Sequence, residues 1–178
     1  MKVTKIEKIE TILWSRWLIL KIYCEDGTIG IGEAGVHGWQ RPTETMLKVC
    51  EPYLLGKNPD LIEHHYQFLY RNSHFMGSVI NGALSAIDIA LWDIKGKRLG
   101  VPIYELMGGK VRDKLQTYVT GPEAKLAQDW GHVGSKIPLL YGPGDGIKGL
   151  KKNQEYIMET RKQVGPDYRL MIDCYMSL

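Results

Sequence analysis

No stretch of this sequence stays apolar for more than a handful of residues. A membrane-spanning helix needs roughly 20. The N-terminus, MKVTKIEKIE, alternates charged with β-branched residues and lacks the apolar segment of a secretory leader. Cysteine is scarce: Cys24, Cys50 and Cys174 form an odd, unpatterned set with no C-x-x-C pair. Neither a zinc site nor a disulfide framework is expected from them, and a reducing, cytoplasmic compartment is the expectation. An excess of one charge is missing as well. Lys and Arg number 23 against 20 Asp and Glu, a formal net of +3. The basic residues are scattered, and the densest group, Lys148, Lys151 and Lys152, reads as one solvated helix face. Nucleic acid and membrane are therefore not expected partners, whereas an anionic small molecule suits the balance.

What is present is an ordinary globular mixture of 178 residues, 44% apolar and 24% charged. That composition excludes global disorder, and the length fits one domain or two small ones. Residues 2–10 read as a strand, with Val3 and Ile9 on one face. Trp17 to Cys24 and Ile29 to Glu33 are two more, joined by Asp26-Gly27. That dipeptide marks a hairpin, because Gly accepts positive φ. The chain is thus expected to open with a three-stranded antiparallel meander. Helices are expected at 42–54, 59–70 and 79–99. In the last, Ile80, Ala83, Leu84, Ile87, Ala90, Leu91 and Ile94 recur at steps of three and four, and Gly100 and Pro102 stop it.

After Gly108-Gly109 the pattern becomes strand (115–120), helix (123–130), strand (134–140), glycine- and proline-rich loop (141–146), helix (150–164) and strand (169–173). That order is the grammar of a parallel sheet with crossovers. Catalytic groups on such sheets gather at the C-terminal strand ends. Here the ends carry Thr120-Gly121-Pro122, Lys136-Ile137-Pro138 and Ile172-Asp173-Cys174-Tyr175. A strand-terminal Asp suits a hard cation such as Mg²⁺, which takes oxygen ligands. Taken singly, Asp173 also reads as a turn or helix-capping residue, and Lys136 as a snorkelling surface lysine.

The segment Ala83-Leu84-Ser85-Ala86-Ile87-Asp88-Ile89-Ala90-Leu91-Trp92-Asp93-Ile94-Lys95-Gly96-Lys97, followed by Gly100-Val101-Pro102-Ile103-Tyr104-Glu105-Leu106-Met107-Gly108-Gly109, resembles the mandelate racemase group of the enolase superfamily. So does Gly30-Ile31-Gly32-Glu33-Ala34. The stretch Gly134-Ser135-Lys136-Ile137-Pro138, with Gly142-Pro143, Asp145-Gly146 and the run Leu170-Met171-Ile172-Asp173-Cys174-Tyr175-Met176-Ser177, looks most like the L-rhamnonate dehydratase branch.

The resemblance implies an α+β capping domain, residues 1–112, followed by the first three strands of a modified (β/α)8 barrel in residues 113–178. A whole barrel takes about 250 residues, so this one is expected to be incomplete. It implies a Mg²⁺-dependent sugar-acid dehydratase. Such an enzyme abstracts the proton α to a carboxylate and eliminates water to give a 2-keto-3-deoxy acid. Asp173 matches the first metal ligand; further ligands and a His–Asp pair are expected beyond Leu178. Lys136 matches the first catalytic lysine of a Lys-x-Lys motif whose second position is Pro138, which speaks against lysine-based racemisation. Tyr175 stands where another dehydratase branch carries His.

Two loops, Trp14–Trp17 and Gly35–Gln40, match those that cover the family's site, so Arg16, His37 and Trp39 are the implied substrate-binding residues. His64, His65, His74 and His132 are expected to be structural or exposed. The implied partner is a small-molecule sugar acid, and a homo-oligomer is expected. Another reaction of the same superfamily, or a non-catalytic binding module, are the other readings. The 178-residue chain alone is expected to be inactive.

Overall fold

The computed structural model describes residues 3–175. Lys2, at the start of the expected first strand, and Met176-Ser177, at the end of the family-like stretch, lie outside the described residues. Contacts divide the chain into two compact units, Met1–Lys110 and Val111–Leu178.

Unit 1 opens with β1 (Ile6–Trp14), β2 (Trp17–Cys24) and β3 (Ile29–Glu33), an antiparallel sheet in the order β1-β2-β3. The Asp26-Gly27 hairpin forms as its chemistry dictates: Gly27 takes φ 82°, and the Asp26 carboxylate accepts the Thr28 N–H at 3.0 Å. Helices α1 (Gln40–Leu54), α2 (Ile62–Arg71), α3 (Ser78–Leu99) and a short α4 (Ile103–Leu106) follow. Gly100 ends α3 in the left-handed conformation, φ 68°. Ile6, Leu18, Leu20 and Ile22 of the sheet, Leu47 and Leu54 of α1, and Ile87, Leu91 and Ile94 of α3 share one buried core.

Strand β3 lies so close to α3 that only glycine fits at its inward positions. A Cβ on Gly30 would stand 2.1 Å from the Ala90 carbonyl oxygen, and one on Gly32 would stand 2.0 Å from that of Ala86. Period-two alternation in the strand thus meets an i, i+4 pair of alanines on the helix. On the outer edge of β3, Asp93 of α3 accepts the Ile31 N–H at 2.8 Å, and Lys97 donates to the Ile29 carbonyl at 2.7 Å. At the end of α3 the nearly buried Arg98 pairs with Asp26 of the hairpin, 3.1 Å, and with Asp60 before α2, 2.5 Å.

His65 is the one fully buried histidine of unit 1, 1% exposed. Its Nε2 meets the Asn58 carbonyl at 2.8 Å, and its Nδ1 meets the Tyr53 hydroxyl at 3.0 Å. A carbonyl can only accept, so Nε2 carries the hydrogen and Nδ1 accepts from tyrosine, which fixes a neutral tautomer. Burial lowers the His65 pKa from its usual value. Protonation then favours the unfolded chain. The stabilising contribution is complete above about pH 6.5 and is lost as pH falls from there to the folded-state value. His65→Ala is expected to cost about 2–4 kcal/mol, because it leaves a cavity behind and removes the partner of two half-buried polar groups, the Tyr53 hydroxyl and the Asn58 carbonyl. Thermal melts across pH 7.5 to 5 check both effects: wild type loses stability on acidification through this window, and the variant loses less.

Unit 2 contains β4 (Tyr118–Thr120), α5 (Ala124–Asp129), β5 (Gly134–Pro138), a 3-10 turn (Pro143–Asp145), α6 (Gly146–Val164) and β6 (Arg169–Asp173). The strands are parallel and in sequential order, with Lys136 opposite Met171 and Pro138 opposite Asp173. Ala124, Ile137 and Val164 form its small core, with Tyr156, Ile157, Tyr168 and Leu170 packed around it.

Several boundaries differ from expectation. The first strand runs from 6 to 14, not 2 to 10, and Val3 is 68% exposed while Thr4 and Ile6 are buried. A register shift between Ile6 and Lys8 explains this. The extra residue switches the inward face from Thr4 and Ile6 to Ile9 and Leu13, so no single alternation describes the strand. The segment Trp14–Trp17 is a two-residue turn rather than a loop: Trp14 and Trp17 pair, and Ser15 takes φ 54°. Helix α2 begins at Ile62, not Pro59, since Asn58 caps a local turn by accepting the Asp60 N–H at 2.9 Å. The strand expected from Leu115 is confined to Tyr118–Thr120. Helix α6 begins at Gly146, inside the expected 141–146 loop. There Asp145 accepts the Gly142 N–H at 2.9 Å and organises the turn ahead of it.

Candidate functional site

The C-terminal ends of β5 and β6 bring together the two chemistry-bearing residues of unit 2. Strand alternation places Lys136 and Pro138 on one side of β5, and the register sets Pro138 beside Asp173. The lysine therefore reaches along the sheet face to the carboxylate, and Nζ lies 2.9 Å from Asp173 Oδ2. Both side chains are more than a quarter exposed. The other carboxylate oxygen accepts the Tyr175 N–H at 3.1 Å. Tyr175 holds φ 50°, a turn conformation that aims its N–H back at the strand end. The backbone is pinned too: the Asp173 carbonyl accepts the Leu139 N–H at 2.9 Å, and the Lys136 carbonyl accepts the Gly121 N–H at 3.0 Å.

Each partner strengthens the other's charge. The hydrogen bond from Lys136, then that from the Tyr175 N–H, holds the Asp173 carboxyl below its ordinary range. The bond to Asp173 raises the Lys136 amine above its own. Lys136 is therefore an ammonium at neutral pH, able to hold an anion or give a proton but not to abstract one. The pair's contribution to stability is whole between about pH 4 and pH 10. It fades as pH falls through the folded-state value of Asp173 or rises through that of Lys136. Lys136→Met is expected to move the Asp173 titration upward toward the ordinary carboxylate value. It should stop short of that value, because the Tyr175 N–H remains. Carboxyl-carbon NMR against pH measures it, and an unmoved Asp173 would show that the pair does not form.

Arg16, His37 and Trp39 all lie in unit 1 and are all exposed. Arg16 sits at the β1–β2 turn with its guanidinium 5.6 Å from the Trp17 ring centroid. The Gln40 side chain donates to the Arg16 carbonyl at 3.1 Å, tying this turn to the start of α1, directly after His37 and Trp39. His132, as expected, is away from the strand ends; it hydrogen-bonds Thr117 at 2.8 Å. A cavity of about 790 Å³ in unit 2, walled by Leu139, Ile147, Leu150, Ile157 and Ile172, contains neither Lys136 nor Asp173. It is an apolar face of α6 and β6 without chemistry of its own.

Sequence reasoning placed Lys136 and Asp173 at adjacent strand ends but missed their ion pair and the Tyr175 N–H. The signal for the pair was available, since parallel neighbours with both residues at their ends must approach. The Tyr175 contact depends on a backbone turn that no residue pattern announces. Among the described residues no group of three or more His, Cys, Asp or Glu side chains could hold a metal ion. One carboxylate competes poorly with the hydration of Mg²⁺, so the described residues alone do not make a Mg²⁺ site. No described helix is long and apolar enough to cross a membrane.

Comparisons with known proteins give the same architecture. A Caldivirga maquilingensis protein named "Putative L-rhamnonate dehydratase" is 37% identical over 163 residues, 90% of this chain and 40% of its own length. The crystal structure of the 3,6-anhydro-D-galactonate cycloisomerase from Zobellia galactanivorans superposes with TM-score 0.87 and 34% identity, over 98% of this chain and 52% of that one. Rhamnonate dehydratase from Gibberella zeae complexed with Mg gives TM-score 0.86 and 29% identity, over 100% of this chain and 55% of that one. The chain thus spans 40% to about half the length of these relatives. Residues 6–108 match the N-terminal domain of mandelate racemase / muconate lactonizing enzyme, and the antiparallel sheet with its helical layer is that domain's α+β cap. The chain belongs to the mandelate racemase / muconate lactonizing enzyme group of the enolase superfamily and represents its N-terminal portion.

Proposed function

We propose that this chain is the capping domain and first barrel strands of a sugar-acid dehydratase acting on rhamnonate or a close relative. The observation that carries the reading is the Lys136–Asp173 pair at the ends of β5 and β6, flanked by Pro138. With proline at that position, the sheet offers one ammonium and one carboxylate where lysine-based racemisation needs two lysines. In this reading Lys136 binds the anionic end of the substrate and steadies negative charge as the α-proton leaves. The β-hydroxyl departs as water with a proton from a general acid, and the enol tautomerises to the 2-keto-3-deoxy acid. Asp173 supplies one oxygen ligand for a Mg²⁺ ion, which when bound polarises the substrate carboxylate; the remaining ligands and the base come from outside the described residues. Arg16, His37 and Trp39 contact the sugar from the cap. A sugar acid is the small-molecule partner, and the assembled protein is a homo-oligomer of the cytoplasm.

The second reading is intramolecular ring chemistry on an anhydro-sugar acid, favoured by the 34% identity to the Zobellia cycloisomerase. The experiment is a panel of sugar acids, rhamnonate and anhydrogalactonate included, assayed with Mg²⁺ for 2-keto-3-deoxy products. It uses a polypeptide of the relatives' length that contains this chain; the intact mass of the native protein sets that length. Rhamnonate turnover supports the first reading and anhydrogalactonate turnover the second. Inertness toward every acid overturns both.

A further inference from the structure

The outward face of α2 carries its charges in a self-complementary order. Glu63, Gln67 and Arg71 recur every four residues, so they share one stripe of the helix. That stripe lies opposite Ile62, His65 and Leu69, the residues that α2 buries. Glu63 stands in the first turn and Arg71 in the last. They are about 12 Å apart along the axis, too far for an ion pair within one helix. Glu63 accepts the Gln67 amide with one carboxylate oxygen, at 2.8 Å, and keeps the other. Among the described residues the Arg71 guanidinium meets no carboxylate.

Apolar rings flank the stripe on both sides. Phe68 stacks on Tyr53 with centroids 4.0 Å apart, yet stays 43% exposed. With His64, Gln67, Arg71 and Asn72 it lines a groove of about 350 Å³. On the other side Tyr66 and Tyr70 stack on each other and are both exposed. Leu61 ahead of the helix and Phe75 and Met76 beyond it are exposed as well, Phe75 by 87%. Single apolar side chains at a surface are ordinary. Six large ones around one ten-residue helix form the kind of patch that marks a protein–protein contact.

The order of the charges says which protein covers it. A second copy of α2 packed antiparallel, with the two-fold axis at Gln67, sets Glu63 of each copy opposite Arg71 of the other, because both lie four residues from the axis. Parallel packing would set Glu63 against Glu63 and Arg71 against Arg71, and like charges exclude it. A foreign helix would have to carry the same two charges at the same spacing; the copy carries them by construction. About such an axis each flank of α2 also meets the same flank of its copy, so Phe68 packs beside Phe68 of the second copy and the tyrosine pair beside its counterpart. Exposed ion pairs add little affinity; the rings supply the burial, and the charges fix direction and register. We propose that α2 is the two-fold contact between two copies of this chain, centred on Gln67. The inference deepens the homo-oligomer of the proposed function by naming its face, and it is independent of the sugar-acid chemistry.

The test measures self-association of the 178-residue chain by sedimentation equilibrium at up to about 100 µM, a ceiling that covers the micromolar affinity of small interfaces. Wild type is expected to dimerise. Glu63→Arg and Arg71→Glu each set like charges opposite one another, and each is expected to weaken association at least tenfold. An equimolar mixture of the two variants restores opposite charges across the axis, as does the chain that carries both substitutions. Both are expected to associate within a few-fold of wild type. Melting curves establish that the variants are folded. Gln67→Cys leaves both charges in place, and at the axis its thiol faces that of the copy. Mild oxidation is therefore expected to join two chains through residue 67, located by peptide mass. Absence of that link, or a mixture that associates no better than its components, would overturn the proposal. Undiminished association of either single variant would overturn it too, and would move the homo-oligomer to another face. A monomeric wild type would overturn both this contact and the homo-oligomer, leaving the face to a different polypeptide or to a segment outside the described residues. Sugar-acid turnover is read by a separate assay, so neither result bears on the dehydratase reading.

Discussion

Gly32→Ala is expected to destabilise unit 1 by about 3 kcal/mol or more, a large share of the stability of an ordinary domain. The new Cβ would lie 2.0 Å from the Ala86 carbonyl oxygen and 2.9 Å from its carbonyl carbon. Those are backbone atoms in the middle of a 22-residue helix, so no side-chain rotation relieves the clash. Either β3 lifts off α3 or α3 bends, and both separate Ile22 and Leu20 from Ile87, Leu91 and Ile94 in the shared core. For a unit of this size, 3 kcal/mol corresponds to a fall in Tm of more than roughly 10 °C. Ile31→Ala is the control: the residue lies between the two glycines, points outward and is 45% exposed, so its loss should change Tm little. Equal melting temperatures for Gly32→Ala and wild type would mean that the strand does not lie on the helix as described.

The same pair of glycines shows how much was legible in the sequence. Gly30-Ile31-Gly32 was legible as a family motif and as a strand, but not as a close approach, because contact between a strand and a helix some 60 residues on is not a local property. Helix α3 was readable almost to the residue. Its apolar spacing is long and regular, and Gly100 takes the φ that ends it. The first strand was misread because a single extra residue near Glu7 reverses which side faces inward, and alternation carries no mark of a bulge. At the site, strand-end positions made Lys136 and Asp173 legible as neighbours. The charge state of the pair was not, since it depends on a 2.9 Å contact and on the turn at Tyr175.

The 178-residue chain is expected to bind no Mg²⁺ at a specific site and to turn over no sugar acid. Mg²⁺ sheds its water reluctantly and requires several well-placed oxygen ligands. Among the described residues no three potential ligands gather, and the one carboxylate at a strand end is already engaged by the Lys136 ammonium. A cation approaching Asp173 must displace that lysine as well as its own water. Lys136, held protonated by the same contact, cannot also act as the base that abstracts an α-proton. Calorimetric titration of the chain with Mg²⁺ should show only weak, non-saturating heats, and the acid panel should give no product; a stoichiometric site tighter than about 1 mM would show that the ligand set is complete without further residues. Under the proposed function, in a polypeptide of the relatives' length that contains this chain, Asp173→Asn should lower turnover by roughly 100-fold or more, because a neutral amide would replace the charged ligand that this reading assigns to Asp173. The fold should persist, since Asp173 is more than a quarter exposed and contributes nothing to the core of unit 2. Loss of turnover in a variant that still melts cooperatively, with at most the small shift expected from losing a partly exposed ion pair, separates a ligand from a structural residue, and near-wild-type turnover would remove Asp173 from the metal site.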